Sequence, residues 1–181
     1  MSRMKHKGSG GHAGTAALLW ACLLAAILLC VGCRGAEARY LDEVQEGLVS
    51  FSDCADAFTD SLRAIGEQQT VPPSGQLDHI EQRLDALSAV CHRLASLEAP
   101  TSCADRQAAL RTAMTQYEDA LEKCRVILTF YRDYDEKFHT FNDPEEGSKQ
   151  MEAELTALYA DFTDAMWTAE DSFHAAREAF S

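Results

Sequence analysis

Apolar residues recur at alternating spacings of three and four positions along most of the chain. Residues at this spacing share one side of an α-helix, so the pattern predicts helices that each carry one apolar stripe. Four such segments span residues 39–65, 76–97, 102–138 and 144–180. We find no stretch with the period of two and the turn residues that are typical of strands. The predicted fold class is therefore all-α.

The segments are separated by residues that end one helix and begin the next. Pro72 and Pro73 cannot continue the first helix, and Ser74 is placed to cap the second. The stretch "EAPTS" ends the second helix, and Asn142 or Asp143 marks the start of the fourth. Amphipathic helices with short connections bury their stripes against one another. We therefore predict an antiparallel four-helix bundle.

The N-terminal segment differs in character from the rest of the chain. Its three basic residues lie within the first seven positions, and an uninterrupted apolar run follows over residues 16–31. A basic start, an apolar stretch and small residues after it are typical of an export signal. We assign residues 1–33 to a signal peptide or anchor helix and residues 34–181 to the exported bundle.

The end of the apolar run resembles the lipobox of bacterial lipoproteins. The stretch reads Leu29-Cys30-Val31-Gly32-Cys33, with small residues before the cysteine. The usual leucine lies three positions before the cysteine, where this chain has Cys30, and Leu29 is one place further away. The resemblance implies cleavage before Cys33, a lipid on its thiol, and a bundle attached to the membrane through its N-terminus on the extracytoplasmic side.

Two other fates of the N-terminus remain open. Ala36 and Ala38 are the small residues that ordinary cleavage and secretion would need. The apolar run is also intermediate in length between a signal and a membrane-spanning helix, so the chain could stay uncut as a signal anchor. All three fates export the domain. We rank lipid attachment first, the uncut anchor second and free secretion third.

Charge narrows the choice of partner. Thirteen basic and 29 acidic residues follow residue 33, which gives the exported part a formal charge of −16. Binding to nucleic acid requires a basic surface that neutralises phosphates, so we predict no nucleic-acid partner. A cationic partner is compatible with this charge, although we prefer the simpler interpretation of a solvated acidic surface.

Four cysteines lie in the exported part: Cys54, Cys91, Cys103 and Cys124. An exported chain favours disulfides, and the rise along each predicted helix places either Cys54–Cys91 or Cys91–Cys103 at similar levels. Cys124 lies near the opposite end of the bundle, so at most one disulfide is expected. The alternative is that Cys91, Cys103 and Cys124 are small core residues on the apolar stripes. Both interpretations remain open.

The end of the third predicted helix is unusually rich in aromatic residues: Phe130, Tyr131, Tyr134, Phe138 and Phe141. Aromatic side chains concentrate in protein interfaces, so this set is a candidate partner-binding surface. It could equally close the end of the bundle beneath Tyr159 or Trp167, an interpretation that we slightly prefer.

The sequence contains only incomplete matches to known catalytic or metal-binding patterns. Asp171 and His174 come nearest to the Glu-x-x-His turn of di-iron bundles, and Asp53, Asp56 and Asp60 lie on one side of the first helix. We predict no catalytic residue, no metal site and no cofactor. The sequence favours a non-catalytic cell-envelope lipoprotein that binds an unknown protein or small molecule near the membrane or has a structural role there. The alternatives are an uncut, signal-anchored component of a membrane complex and a metal-binding bundle.

Overall fold

The computed structural model describes residues 13–66 and 71–180, with side chains within 35–63 and 71–180. The described residues are helical apart from short connections and contain no strand, so the predicted all-α class is confirmed. The helices are α1 (Ala13–Gly66), α2 (Ser74–Ser96), α3 (Ala104–Arg132), α4 (Tyr134–Phe138) and α5 (Pro144–Glu178), with a 3-10 turn at Thr101–Cys103.

Helix α1 is much longer than the sequence pattern predicts. It begins at Ala13 and runs unbroken to Gly66, so the expected start near Arg39 is wrong. The stretch before Arg39 contains no proline, and its many alanine and leucine residues favour a helix even without an apolar stripe.

The predicted signal peptide or anchor over residues 1–33, and with it the Cys33 side chain, lies outside the residues whose side chains the structure describes. Within the residues whose side chains the structure describes, 35–63 and 71–180, no helix combines the length and the hydropathy that crossing a membrane requires.

The apolar stripe of α1 divides into two rows. One row is almost fully buried and comprises Tyr40, Val44, Phe51 and Phe58. The other row is only half-buried and comprises Leu41, Leu48, Ala55 and Leu62. One flank of α1 therefore lies in the core, whereas the flank beside it is incompletely covered.

Helix α2 matches its predicted stripe. All six of the expected apolar positions are buried, namely Leu77, Ile80, Leu84, Leu87, Cys91 and Leu94. The expectation for Ser74 is wrong, because Ser74 is the first helical residue and Pro73 precedes the helix. The Pro73 carbonyl accepts hydrogen bonds from the backbone N–H groups of Gln76 and Leu77 at 2.9 and 3.2 Å.

Helix α3 lies at the centre of the packing and has eleven buried residues. The predicted helix over residues 102–138 is divided, because the 3-10 turn precedes α3 and the short α4 follows it after Asp133. The Asp133 N–H still donates to the Thr129 carbonyl at 3.0 Å, but its backbone ψ of 2° departs from helical geometry.

Helix α5 begins as predicted and packs less completely. The Asp143 carboxylate accepts a hydrogen bond from the Glu145 N–H at 2.9 Å, and Pro144 occupies the first helical turn. Only four residues of this 35-residue helix are buried, namely Gly147, Met151, Ala169 and Ala176. Most other apolar positions of its stripe are half-buried.

Helices α2 and α3 pack side by side in opposite directions. Arg132 at the end of α3 contacts Asp78 near the start of α2, whereas Gln107 near the start of α3 contacts Leu94 near the end of α2. Helix α2 also packs along α1, and α5 packs along α3. Close packing of α1 against α2 depends on Gly47, since an added Cβ at that position would overlap the Leu94 side chain.

Candidate functional site

Three aromatic rings join α1, α3 and α5 in the core. The Phe51 ring centroid lies 4.9 Å from that of Tyr117 and 4.8 Å from that of Phe173, and the latter two are 6.0 Å apart. Phe51 and Tyr117 are buried, whereas Phe173 is half-buried. The rings meet edge-on or tilted, the arrangement that aromatic side chains favour. Phe173 therefore connects the core to a surface cleft above it.

The cleft lies between α1 and α5. Within the described residues, the backbones of these two helices approach each other far less than those of the other neighbouring helices, and large side chains span the gap. The cleft has a volume of about 480 Å³, within the range of ligand pockets. Its lining is mostly apolar with polar groups at the margins, and comprises Gln45, Leu48, Val49, Phe51, Ser52, Asp53, Ala55, Phe173 and Arg177.

A second, shallower cleft adjoins the first along α1. It has a volume of about 470 Å³, and its lining residues are Asp42, Gln45, Glu46 and Val49. Because Gln45 and Val49 line both, the two clefts form one surface, which we name the α1 groove. It extends along α1 from Asp42 to Ala55, about 20 Å at the helical rise. The Val49 side chain, 59% exposed, lies where the two clefts meet.

Acidic groups at the seam between α2 and α3 form salt bridges with two arginines. Arg132 Nη2 lies 2.9 Å from Asp78 and 2.7 Å from Glu81, and Arg125 Nη2 lies 2.8 Å from Asp85. The hydrogen bond from Arg132 lowers the pKa of Glu81, and the same carboxylates raise the pKa of Arg132. Each of these three carboxylates is therefore paired with an arginine across the seam.

Acidic groups in the α1 groove have no such partners. Asp42, Glu46 and Asp53 are exposed, and none of them forms a salt bridge with another residue in the described part of the chain. Arg177 is the basic residue among those that line the groove. The groove thus combines an apolar floor with a margin that carries net negative charge.

A buried polar network joins α1, α2 and α3 at the level of Tyr40 on α1. The Tyr40 hydroxyl donates to Gln107 Oε1 at 2.8 Å, and Gln107 Nε2 donates to the carbonyls of Leu94 and Ala95 at 3.0 and 3.3 Å. Burial raises the pKa of Tyr40 to about 12, so its hydroxyl stays protonated at neutral pH. We infer a structural role for this network.

Neither the buried network around Gln107 nor the α1 groove was predicted from the sequence. Gln107 is a polar residue that interrupts the apolar stripe of α3, and this interruption is the only feature of the pattern that indicates the network. The α1 groove left no comparable signal, because Leu48 and Ala55 have the same spacing as fully buried residues.

The predicted aromatic surface is divided by the structure. Phe130 is buried, while the other four members of the set are half-buried. Phe130 contacts the rings of Tyr131 and Tyr134 at centroid distances of 6.2 Å, and Lys137 Nζ lies 4.7 Å from the Phe130 centroid. Phe138 stacks on Tyr134 at 6.1 Å.

Contacts to α5 favour a packing role for part of this set. The hydroxyls of Tyr131 and Tyr159 are 3.2 Å apart, and burial together with this hydrogen bond raises the pKa of Tyr159. Phe141 lies against Gly147, where an added Cβ would come within 2.8 Å of its side chain. Of the two residues predicted to lie over this set, Tyr159 contacts Tyr131, whereas Trp167 is 63% exposed. A partner-binding role for these aromatics stays a prediction.

The four cysteines of the packed helices are free thiols in the structure. Cys91, Cys103 and Cys124 are buried, which agrees with their prediction as core residues, and Cys54 is half-buried. Burial raises the pKa of both Cys91 and Cys124 to about 12, so these thiols are protonated and poorly reactive at neutral pH. A disulfide from Cys91 to Cys54 or Cys103 stays a prediction for the oxidised protein.

The candidate metal ligands are not assembled into a site. Among the described residues, no three histidine, cysteine or acidic side chains come together as metal ligands would. Asp60 instead accepts a hydrogen bond from Arg63 at 3.1 Å. His92 Nδ1 lies 3.8 Å from Glu118, and that contact is exposed to solvent on the histidine side.

Comparisons with known proteins found no matching family model, no matching curated protein and no matching solved structure.

Proposed function

We propose that this chain is a bacterial cell-envelope lipoprotein whose helical domain binds a partner close to the membrane and has no catalytic activity. In this proposal, α1, α2, α3 and α5 form an antiparallel four-helix bundle on the extracytoplasmic side. Cleavage before Cys33 and lipid attachment to its thiol would hold that bundle at the membrane.

The observation that carries this proposal is that one helix connects the predicted attachment point with the α1 groove. Helix α1 is continuous across Cys33 and reaches Asp42, the first residue of the groove, nine residues later. At the helical rise this is about 14 Å. A partner in the groove would therefore be bound beside the membrane surface.

A binding role is also supported by the chemistry of the ionisable groups. The groups with clearly raised pKa values are mainly tyrosines and cysteines, all protonated at neutral pH, and burial is the main cause for Tyr40, Cys91 and Cys124. General acids and bases work best when their pKa lies near the working pH. The exposed, apolar and acidic α1 groove is better suited to recognition.

The attachment is tested by the intact mass of the protein from the membrane fraction of its native host. We expect a mass that begins at Cys33 with an added diacylglyceryl group, and we expect Cys33→Ser to begin at Met1. Cys22→Ser, outside the five-residue lipobox, is the matched control and should still be processed before Cys33. A native mass that begins at Arg39 would instead establish secretion after Ala38 and refute the lipid attachment.

A second candidate is an uncut signal anchor that carries the same binding domain. It is favoured by the absence of any helix break in α1 between Ala13 and Gly66. In that case the native mass begins at Met1 and is unchanged by Cys33→Ser. The same measurement therefore separates the two candidates.

A further inference from the structure

We propose that the α1 groove binds a basic amphipathic helix of a partner protein. This inference rests on the proposed binding function and names both its site and the chemistry of the partner. An amphipathic helix places its apolar side chains in a hydrophobic groove of its receptor, with anchors at three-four spacing. The shape, the apolar lining and the charge of the α1 groove each support this occupant.

The length of the groove fits a short helix. Its two clefts run side by side along α1 over about 20 Å, which is the length of a helix of about 13 residues. Because the backbones of α1 and α5 lie further apart than those of the other neighbouring helices, a third helix can lie over the seam between them. A compact small molecule would fill only one of the two clefts.

The floor of the groove provides contacts for apolar anchors. Leu48 and Ala55 are half-buried and two turns apart on α1, and Val49 is 59% exposed between them. Phe173 closes the floor from α5, and Phe51 beneath it holds that ring in place at 4.8 Å. Leu48 and Ala55 share one side of α1, and Val49 lies about 100° further round the helix, so together with Phe173 they give the groove a partly exposed apolar floor about two helical turns long.

The charge of the margin selects a basic partner. Asp42, Glu46 and Asp53 carry three negative charges along one side of α1, against the single positive charge of Arg177 among the residues that line the groove. The whole chain has a formal charge of −13, so a second copy of the same chain is disfavoured by repulsion. Lysine or arginine residues on the polar side of a bound helix would pair with these carboxylates.

The first test is site-specific photocrosslinking of the full-length protein in its native host. We place p-benzoylphenylalanine at Val49 in the groove and, as a matched control, at Val126 on α3. Both valines are exposed, at 59% and 47%, but Val126 is outside the groove. We expect an adduct from position 49 alone, with the crosslinked fragment mapping to a basic amphipathic helix of another protein.

Other adducts would overturn the inference. A second copy of this chain, a lipid or an acidic segment captured at position 49 would each show a different occupant. An adduct from position 126 alone would refute the groove while leaving a binding function in place elsewhere. The absence of an adduct at both positions would refute the groove as well, whereas the mass of the N-terminus would still report independently on the membrane attachment.

The second test measures binding of a defined probe to the full-length protein in a neutral detergent. The probe is a fluorescent 14-residue peptide of leucine and lysine with leucines at three-four spacing. We expect Glu46→Gln with Asp53→Asn to weaken binding about tenfold, because opposite charges at an interface contribute to affinity. The control pair Glu136→Gln with Glu152→Gln removes the same charge elsewhere and should change binding less than twofold.

Two further results would contradict the inference from the peptide. Equal weakening by both variant pairs would mean that the peptide responds only to total charge. Equal binding of a peptide with the same composition but a scrambled pattern would mean that the groove does not recognise an amphipathic helix. Unfolding midpoints of the variants, measured alongside, exclude loss of fold as the cause of weaker binding.

Discussion

The seam between α2 and α3 is more completely packed than the seam between α1 and α5. Leu84 and Cys91 of α2 are completely buried, and arginines of α3 pair with the acidic residues at the margin. At the other seam, Leu48 and Phe173 are only half-buried and the acidic residues lack such partners. The first seam is built for stability, whereas the second retains exposed apolar surface.

This difference has a consequence for how the two seams respond to substitution. A fully buried side chain contributes both its transfer free energy and the filling of the space it occupies, whereas a half-buried one contributes less of each. Substitutions at the α2–α3 seam should therefore affect mainly folding. Substitutions in the α1 groove should affect mainly binding.

The largest expected effect is a difference in the loss of stability between two leucine-to-alanine variants. Leu84→Ala, at a position with 0% exposure, should lower the free energy of unfolding by about 3 kcal/mol because it leaves a cavity in the core. Leu48→Ala in the groove should lower it by about 1 kcal/mol or less, since that side chain is already partly in contact with water. Urea denaturation followed by circular dichroism measures both. Equal losses would show that the seams are equally well packed.

The second prediction concerns the network around Gln107. Gln107→Ala would leave the Tyr40 hydroxyl and two backbone carbonyls without this partner in a buried environment. We expect a loss of about 1 to 3 kcal/mol in the free energy of unfolding. The exposed Gln45→Ala in the groove is the matched control and should change it by less than about 0.5 kcal/mol. If both variants unfold alike, the network contributes nothing to stability.

The periodicity of apolar residues was sufficient to predict most of the fold. It assigned the all-α class, all six buried residues of α2, and the beginning of α5 at Pro144 after its Asp143 cap. These features depend on local sequence, because helix caps and stripes are formed by residues close together in the chain. The start of α1 was missed because a helix without an apolar stripe has no periodic signal.

The candidate site depended on tertiary packing and was not predictable in the same way. Leu48 and Phe51 have equivalent places in the sequence pattern, yet only Phe51 is buried. What distinguishes them is the wide spacing of α1 and α5, which depends on tertiary packing and cannot be read from the local pattern. The aromatic set at the end of α3 shows the converse, since its composition suggested a surface and the structure buries Phe130 within it.

The smallest expected effect is the contribution of the ion pairs of the α2–α3 seam to the free energy of unfolding. This contribution should depend on pH. Arg132 lowers the pKa of Glu81 in the folded protein below its ordinary value of 4.5. A lowered pKa gives stability that is present above pH 4.5 and is lost as the pH falls through the folded value. Because Arg132 and Glu81 remain 34% and 40% exposed, we expect Arg132→Met to cost only about 0.5 to 1 kcal/mol at pH 7.

The same variant should lose this part of its acid sensitivity, so the stability curves of Arg132→Met and the native protein converge as the pH falls below 4.5. Urea midpoints measured between pH 3 and pH 7 test this convergence. The control is Arg83→Met on the side of α2 that faces α1, an exposed arginine that forms no salt bridge among the described residues. A gap between Arg132→Met and the native protein that stays constant with pH would mean that Arg132 stabilises the seam by packing its side chain and not by its charge. The two seams would then differ in how well they are packed, and the pairing of their acidic residues would contribute nothing to that difference.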